Sequence, residues 1–96
     1  RDLNKVGFWS LEALGEFVRG HRERLGMTER QLVDHANLGD QGHEWLKATE
    51  SGAATFDKAK LVALSEIFGV EARPLVMAAL KAIQVAETSR IDAELQ

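Results

Sequence analysis

The run Met27-Thr28-Glu29-Arg30-Gln31-Leu32 restricts the fold more tightly than any other part of the sequence. Thr28 and Gln31 stand at the spacing of a capping box, in which each side chain satisfies the other residue's backbone N–H. Met27 and Leu32 occupy the two positions of a hydrophobic staple, which fixes how the chain enters the helix. Gly26, just before them, is a stop for whatever helix precedes. One helix therefore ends and another starts within a few residues. Short, closely connected helices are the pattern of a compact helical globule rather than of an up-and-down bundle.

The rest of the chain extends this reading. Ser10 is a good N-cap, and Glu12 suits the first turn of a helix. Leu11, Leu14, Phe17, Val18, His21 and Leu25 then recur at helical spacing, which predicts a first helix over 10–25. The second helix spans 28–36, because Asn37, Gly39 and Gly42 crowd the chain soon after Ala36. A third runs over 41–50, capped by Asp40, with Trp45 and Leu46 turned to the core and Ser51-Gly52 as its stop. A fourth starts at Thr55, with Asp57 in its first turn and Gly69 as its end. A fifth starts at Pro74, a residue favoured at the first helical position. No stretch reads as a strand. The domain proper is 10–84, with an N-terminal arm over 1–9 and a helix extension or tail over 85–96. Phe8 and Trp9 in the arm are expected to pack back onto the domain.

Composition excludes several functions. The 96 residues suffice for one domain, and 45% of them are hydrophobic, enough to build a core. With no cysteine there is no disulfide, thiolate nucleophile or cysteine-based zinc site, which fits a reducing cytoplasm. His21, His35 and His43 match no metal-ligand spacing, and neither a metal nor a cofactor is expected. No nucleophile–base–orienter set is visible, and Ser10, Ser51, Ser65 and Ser89 each have a capping or surface explanation, so the chain does not read as an enzyme. No glycine-rich phosphate loop occurs. No apolar run approaches the roughly 20 residues that cross a bilayer, and no signal-peptide pattern opens the sequence. The formal net charge of −3 means that any basic face for a nucleic acid must be small. Arg19, Arg22 and Arg24 are interleaved with Glu16 and Glu23, which reads as a salt-bridged helix face.

Three segments, taken in order, resemble the repressor-type helix-turn-helix family (the XRE or Cro/repressor class). The first runs through Leu14-Gly15-Glu16-Phe17-Val18-Arg19, then Arg22-Glu23-Arg24-Leu25-Gly26-Met27-Thr28, and on to Gln31-Leu32-Val33. The second is Glu50-Ser51-Gly52, similar to the Glu-x-Gly that closes the family's third helix. The third is Lys60-Leu61-Val62-Ala63-Leu64-Ser65-Glu66-Ile67-Phe68-Gly69-Val70, similar to its fourth helix and the Gly-Val after it. The resemblance covers residues 11–80. It departs from the family pattern around Asn37-Leu38-Gly39, where this chain is longer, and at Glu29, where the family often has glutamine.

The resemblance implies an all-α, compact five-helix, lambda-repressor-like domain that binds double-stranded DNA as a bacterial or phage transcriptional regulator. Its third helix would then enter the major groove, offering Gln41, His43, Glu44 and Lys47. Phosphate contacts would come from Thr28, Arg30, Lys47, Thr55 and Lys58. Val76, Leu80 and Ile83, continued by Ile91 and Leu95, form an apolar stripe that either closes the core or makes a homodimer. Two other readings stay open. The fold could serve as a protein-interaction domain with little or no DNA binding, which the acidic balance, Glu29 and Glu44 favour. Or the chain could be the DNA-binding part of a longer regulator.

Overall fold

In the computed structural model, which describes residues 10–53 and 55–95, five α-helices account for the regular structure and no strand occurs among the described residues. They are α1 (Leu11–Arg24), α2 (Glu29–Ala36), α3 (Gly42–Glu50), α4 (Lys58–Phe68) and α5 (Ala72–Leu95). The arm over 1–9, with Phe8 and Trp9, lies outside the described residues.

The first two helix starts follow the local chemistry. Ser10 Oγ accepts from the Ala13 N–H at 3.0 Å, which satisfies one of the N–H groups a helix start leaves open. At α2 the capping box closes in both directions. The Thr28 N–H donates to Gln31 Oε1 at 2.8 Å, and the Gln31 N–H donates to Thr28 Oγ1 at 3.1 Å.

The later starts differ from the sequence expectation. Asp40 does not cap α3; Gln41 occupies that position and makes no side-chain cap hydrogen bond. Asp57, not Thr55, caps α4: its Oδ1 accepts from the Lys60 N–H at 3.1 Å, and its Oδ2 accepts from Lys60 Nζ at 2.8 Å. Thr55 is drawn inward instead, its hydroxyl 3.1 Å from that of Thr49 on α3. The fifth helix starts at Ala72, so Pro74 is its third residue. Proline is tolerated there because the first four N–H groups of a helix have no partner within it.

The longer connection between α2 and α3 is part of the fold rather than an appendage. Asn37 ends α2 in the left-handed conformation at φ 55°. Leu38 then turns back into the core, its N–H donating to the Val33 carbonyl at 3.0 Å. A Cβ on Gly42 would stand 2.5 Å from Leu38 Cβ, so the start of α3 lies directly on Leu38 and needs a residue without a side chain.

Val18, Leu32, Leu46, Leu61, Leu64 and Leu75, at least one from every helix, form the fully buried centre. The principal packings are α4 on α5, α1 on α3, α1 on α5 and α2 on α3. α5 packs through Leu75, Ala79 and Ala82. Of the expected dimer residues, Val76 is half-buried against the core, Ile83 is half-buried, and Leu80 is exposed. The helix continues through most of the expected tail to Leu95.

Candidate nucleic-acid interface

The short helix α3 has two distinct sides. Trp45, Leu46, Thr49 and Glu50 are buried, and with Gly42 they define the side turned to the domain. Trp45 Nε1 has no hydrogen-bond partner among the described residues, so this indole serves by bulk and not by its polar end. With 3.6 residues per turn, the opposite side carries Gln41, Glu44, Lys47 and Ser51, all exposed.

The C-terminal end of α3 is anchored to α1 through Glu50. Its carboxylate accepts from Arg22 Nε at 2.8 Å and from Arg22 Nη2 at 3.0 Å, a bidentate pair. Arg22 Nη1 also donates to the Met27 carbonyl at 2.9 Å, so one guanidinium joins α1, the turn into α2 and the end of α3. The side chains of Arg22 and Glu50 are 13% and 2% exposed. The hydrogen bond with Glu50 raises the Arg22 pKa above its ordinary value, partly opposed by desolvation, so this guanidinium stays charged. Arg19 adds a longer contact, Nε to Glu50 Oε1 at 3.6 Å.

This pair corrects the sequence reading. Arg19 and Arg22 reach Glu50 across the fold rather than Glu16 or Glu23 along their own helix. In the sequence Glu50 reads only as part of a helix stop. The partners are 28 positions apart, and no local signal pairs residues at that distance. Beside them a Cβ on Gly15 would stand 2.7 Å from the carbonyl oxygens of Thr49 and Glu50. The two helices therefore meet backbone to backbone.

The other expected contact residues separate into groups. Gln41, Glu44 and Lys47 share the free side of α3. His43 is half-exposed, and its Nε2 lies 3.8 Å from Glu29 Oε1 on α2. Thr28 and Arg30 are exposed at the start of α2, although the Thr28 hydroxyl is committed to its capping bond. Lys58 is exposed at the first residue of α4. Thr55 falls outside the group, since its hydroxyl is engaged with Thr49.

Charge along this surface is mixed. Between Thr28 and Ser51 the exposed or half-exposed carboxylates are Glu29, Asp34, Asp40 and Glu44, against the two cations Arg30 and Lys47. Among the described residues no group of His, Asp and Glu is placed to hold a metal ion. None of their helices is long and apolar enough to cross a membrane. No family model matches the chain, and no curated protein or solved structure matches it either.

Proposed function

We propose that this domain is a sequence-specific, DNA-binding transcriptional regulator of the bacterial or phage repressor type, acting in the cytoplasm, with a lambda-repressor-like helix-turn-helix fold in which α2 and α3 form the motif. The observation that carries the reading is the outer side of α3. It is a polar stripe free of packing, on a helix whose other side is fastened to α1. A major groove admits one helix, and base edges are read by side chains from such a stripe. Gln41 has the donor and acceptor needed for adenine. Lys47 reaches guanine acceptors or phosphate, and Glu44 accepts from cytosine N4. Thr28 at the start of α2, Arg30 and Lys58 supply phosphate contacts that set the register on the duplex.

A titration with mixed-sequence duplex across a salt series tests this. Binding should be present at about 50 mM salt and fall steeply as salt rises, because phosphate contacts release counterions. Lys47→Ala should weaken binding and, if its contact is to phosphate, reduce the salt slope by about 1. No binding at the low-salt end would remove the DNA reading.

A second reading is favoured by one observation. Four carboxylates against two cations between Thr28 and Ser51 form an unusual face for DNA. The same polar stripe would then dock a protein carrying basic residues, with weak or absent DNA binding. Selection from a random DNA pool separates the two: an enriched site supports the regulator, and no enrichment supports the protein partner.

A further inference from the structure

The outer side of α1 carries a hole. It is a cavity of about 150 Å³ lined by Ala13, Glu16, Phe17, Gly20, His21 and Arg24. These residues form two overlapping sets at the spacing i, i+3, i+4 and i+7: Ala13, Glu16, Phe17 and Gly20, then Phe17, Gly20, His21 and Arg24. Four residues so spaced make the hole into which a facing helix inserts a side chain. Gly20, common to both sets, keeps it open, since a Cβ added there would meet nothing within 4 Å. The floor is held in place. The His21 ring centre lies 4.2 Å from that of Phe17 and 5.0 Å from that of Phe68, and His21 Nδ1 donates to the Phe17 carbonyl at 3.0 Å.

The rim of the hole is charged. Glu16 and Arg24 are exposed, and neither side chain makes an ion pair or hydrogen bond among the described residues. They stand at equal steps to either side of Gly20, each about 6 Å from it along the axis at 1.5 Å per residue. Gly15, which meets α3, lies about 140° around the helix from Gly20 at 3.6 residues per turn. The hole therefore points away from α3 and leaves the polar stripe of that helix open.

We propose that a second copy of this chain docks on this hole, with the two α1 helices crossing antiparallel at Gly20. Read backwards about Gly20, the rim is its own complement. Glu16 falls level with Arg24 of the other copy, and Arg24 with its Glu16. Arg24 of each copy then enters the Ala13–Glu16–Phe17–Gly20 hole of the other and meets the carboxylate on its edge. Glu23, one residue before Arg24, comes beside the same layer, so each guanidinium faces two carboxylates. Gly20 against Gly20 lets the two backbones approach closely. The contact is isologous, the same patch on both copies. A parallel pairing would set Glu16 against Glu16 and Arg24 against Arg24. One helix face buries less area than a standard interface, so the pair is weak and reversible. The contact uses no residue of α5 and does not depend on DNA binding.

Charge reversal tests the arrangement. Sedimentation at high micromolar concentration, without DNA, should show reversible pairing of the wild-type chain. Glu16→Arg and Arg24→Glu should each raise the dissociation constant by about tenfold or more, because like charges then face each other in both layers. Both positions are exposed, so the melting curves should not change. Mixed in equal amounts, the two variants should pair again, because every Glu16–Arg24 layer regains opposite charges. A thiol at the crossing point gives a direct check, since the chain has no cysteine. Under mild oxidation Gly20→Cys should link two copies about tenfold faster than Glu44→Cys on the exposed side of α3, because docking raises the effective concentration of the two thiols. A wild-type monomer, with the hole covered by another segment or open to solvent, would overturn the proposal. So would pairing that neither reversal weakens, variants that do not pair when mixed, or a Gly20→Cys chain that cross-links no faster than Glu44→Cys.

Discussion

On its inner side α3 approaches α1 so closely that Gly15 has no room for a methyl group, and a buried bidentate ion pair joins the two helices. On its outer side the same nine-residue helix presents Gln41, Glu44, Lys47 and Ser51, all exposed. The contrast shows how a short helix can be stable and still offer a contact surface. Stability is concentrated on one side, where substitution is costly, which leaves the other side free to vary. If that division holds, the two sides should respond to mutation in opposite ways.

Glu50→Ala is expected to have the largest effect. It strips both carboxylate contacts from the largely buried Arg22 guanidinium and leaves it the Met27 carbonyl, a loss that reaches about 3–5 kcal/mol where such a pair is fully buried. For a domain of this size that is a large share of the total stability. Thermal or urea unfolding should show the loss, and joint replacement of Arg22 and Glu50 by leucine and methionine should recover much of it. A single-variant loss below about 1 kcal/mol would mean that the pair does not hold α3.

The next test compares two glycines on α1. Gly15→Ala puts a Cβ 2.7 Å from two backbone oxygens, and overpacking of this kind costs about 1–3 kcal/mol. Gly20 is exposed on the same helix, with nothing within 4 Å of the added atom. Gly20→Ala should therefore stabilise by about 0.5–1 kcal/mol through helix propensity alone. Opposite signs from one chemical change on one helix would locate the close contact. Equal signs would remove it.

How much of this is legible in the sequence depends on how local the cause is. The Ser10 cap and the Thr28–Gln31 box were readable, because each is complete within four residues. The outer side of α3 was readable too, since Trp45 and Leu46 mark the inner side and the helical period places Gln41, Glu44 and Lys47 away from it. The start of α4 was not, because two cap-capable residues, Thr55 and Asp57, compete there. The contact from Thr55 to Thr49 decides between them, and it exists only in the folded chain. Leu38 stands in sequence between Asn37 and Gly39, within the lengthened connection, and nothing in its neighbours signals that it belongs to the core. The Arg22–Glu50 pair was out of reach for the same reason: the residues meet only because Gly15 lets the helices close.

Asp57 offers a smaller effect with a pH signature. Asp57→Ala should cost about 1 kcal/mol, the usual value for a lost N-cap. The hydrogen bond from the Lys60 side chain, then that from its backbone N–H, lowers the Asp57 pKa below the ordinary carboxylate value. A carboxylate stronger as an acid in the folded state stabilises the fold above its unfolded pKa of about 3.9. That contribution is lost as the pH falls through the lower folded value. The difference in stability between wild type and Asp57→Ala should accordingly be constant near neutrality and shrink in acid. A difference that persists unchanged at low pH would show that the cap does not depend on charge.

The smallest expected effects on stability are on the outer side of α3. Lys47→Ala and Glu44→Gln remove no packed contact, so each should change unfolding free energy by no more than about 0.5 kcal/mol. Their effects on binding should be opposite under the proposed DNA function. Lys47→Ala removes attraction to phosphate and should weaken binding to mixed-sequence duplex. Glu44→Gln removes a carboxylate from the middle of the face that would meet the groove, and should strengthen that non-specific binding. If its role is to accept from cytosine N4, it should also weaken discrimination at one base pair. A basic protein partner gives the reverse pattern, with Glu44→Gln weakening the complex and Lys47→Ala strengthening it. The same two variants therefore separate the readings by sign, at positions where folding cannot confuse the result.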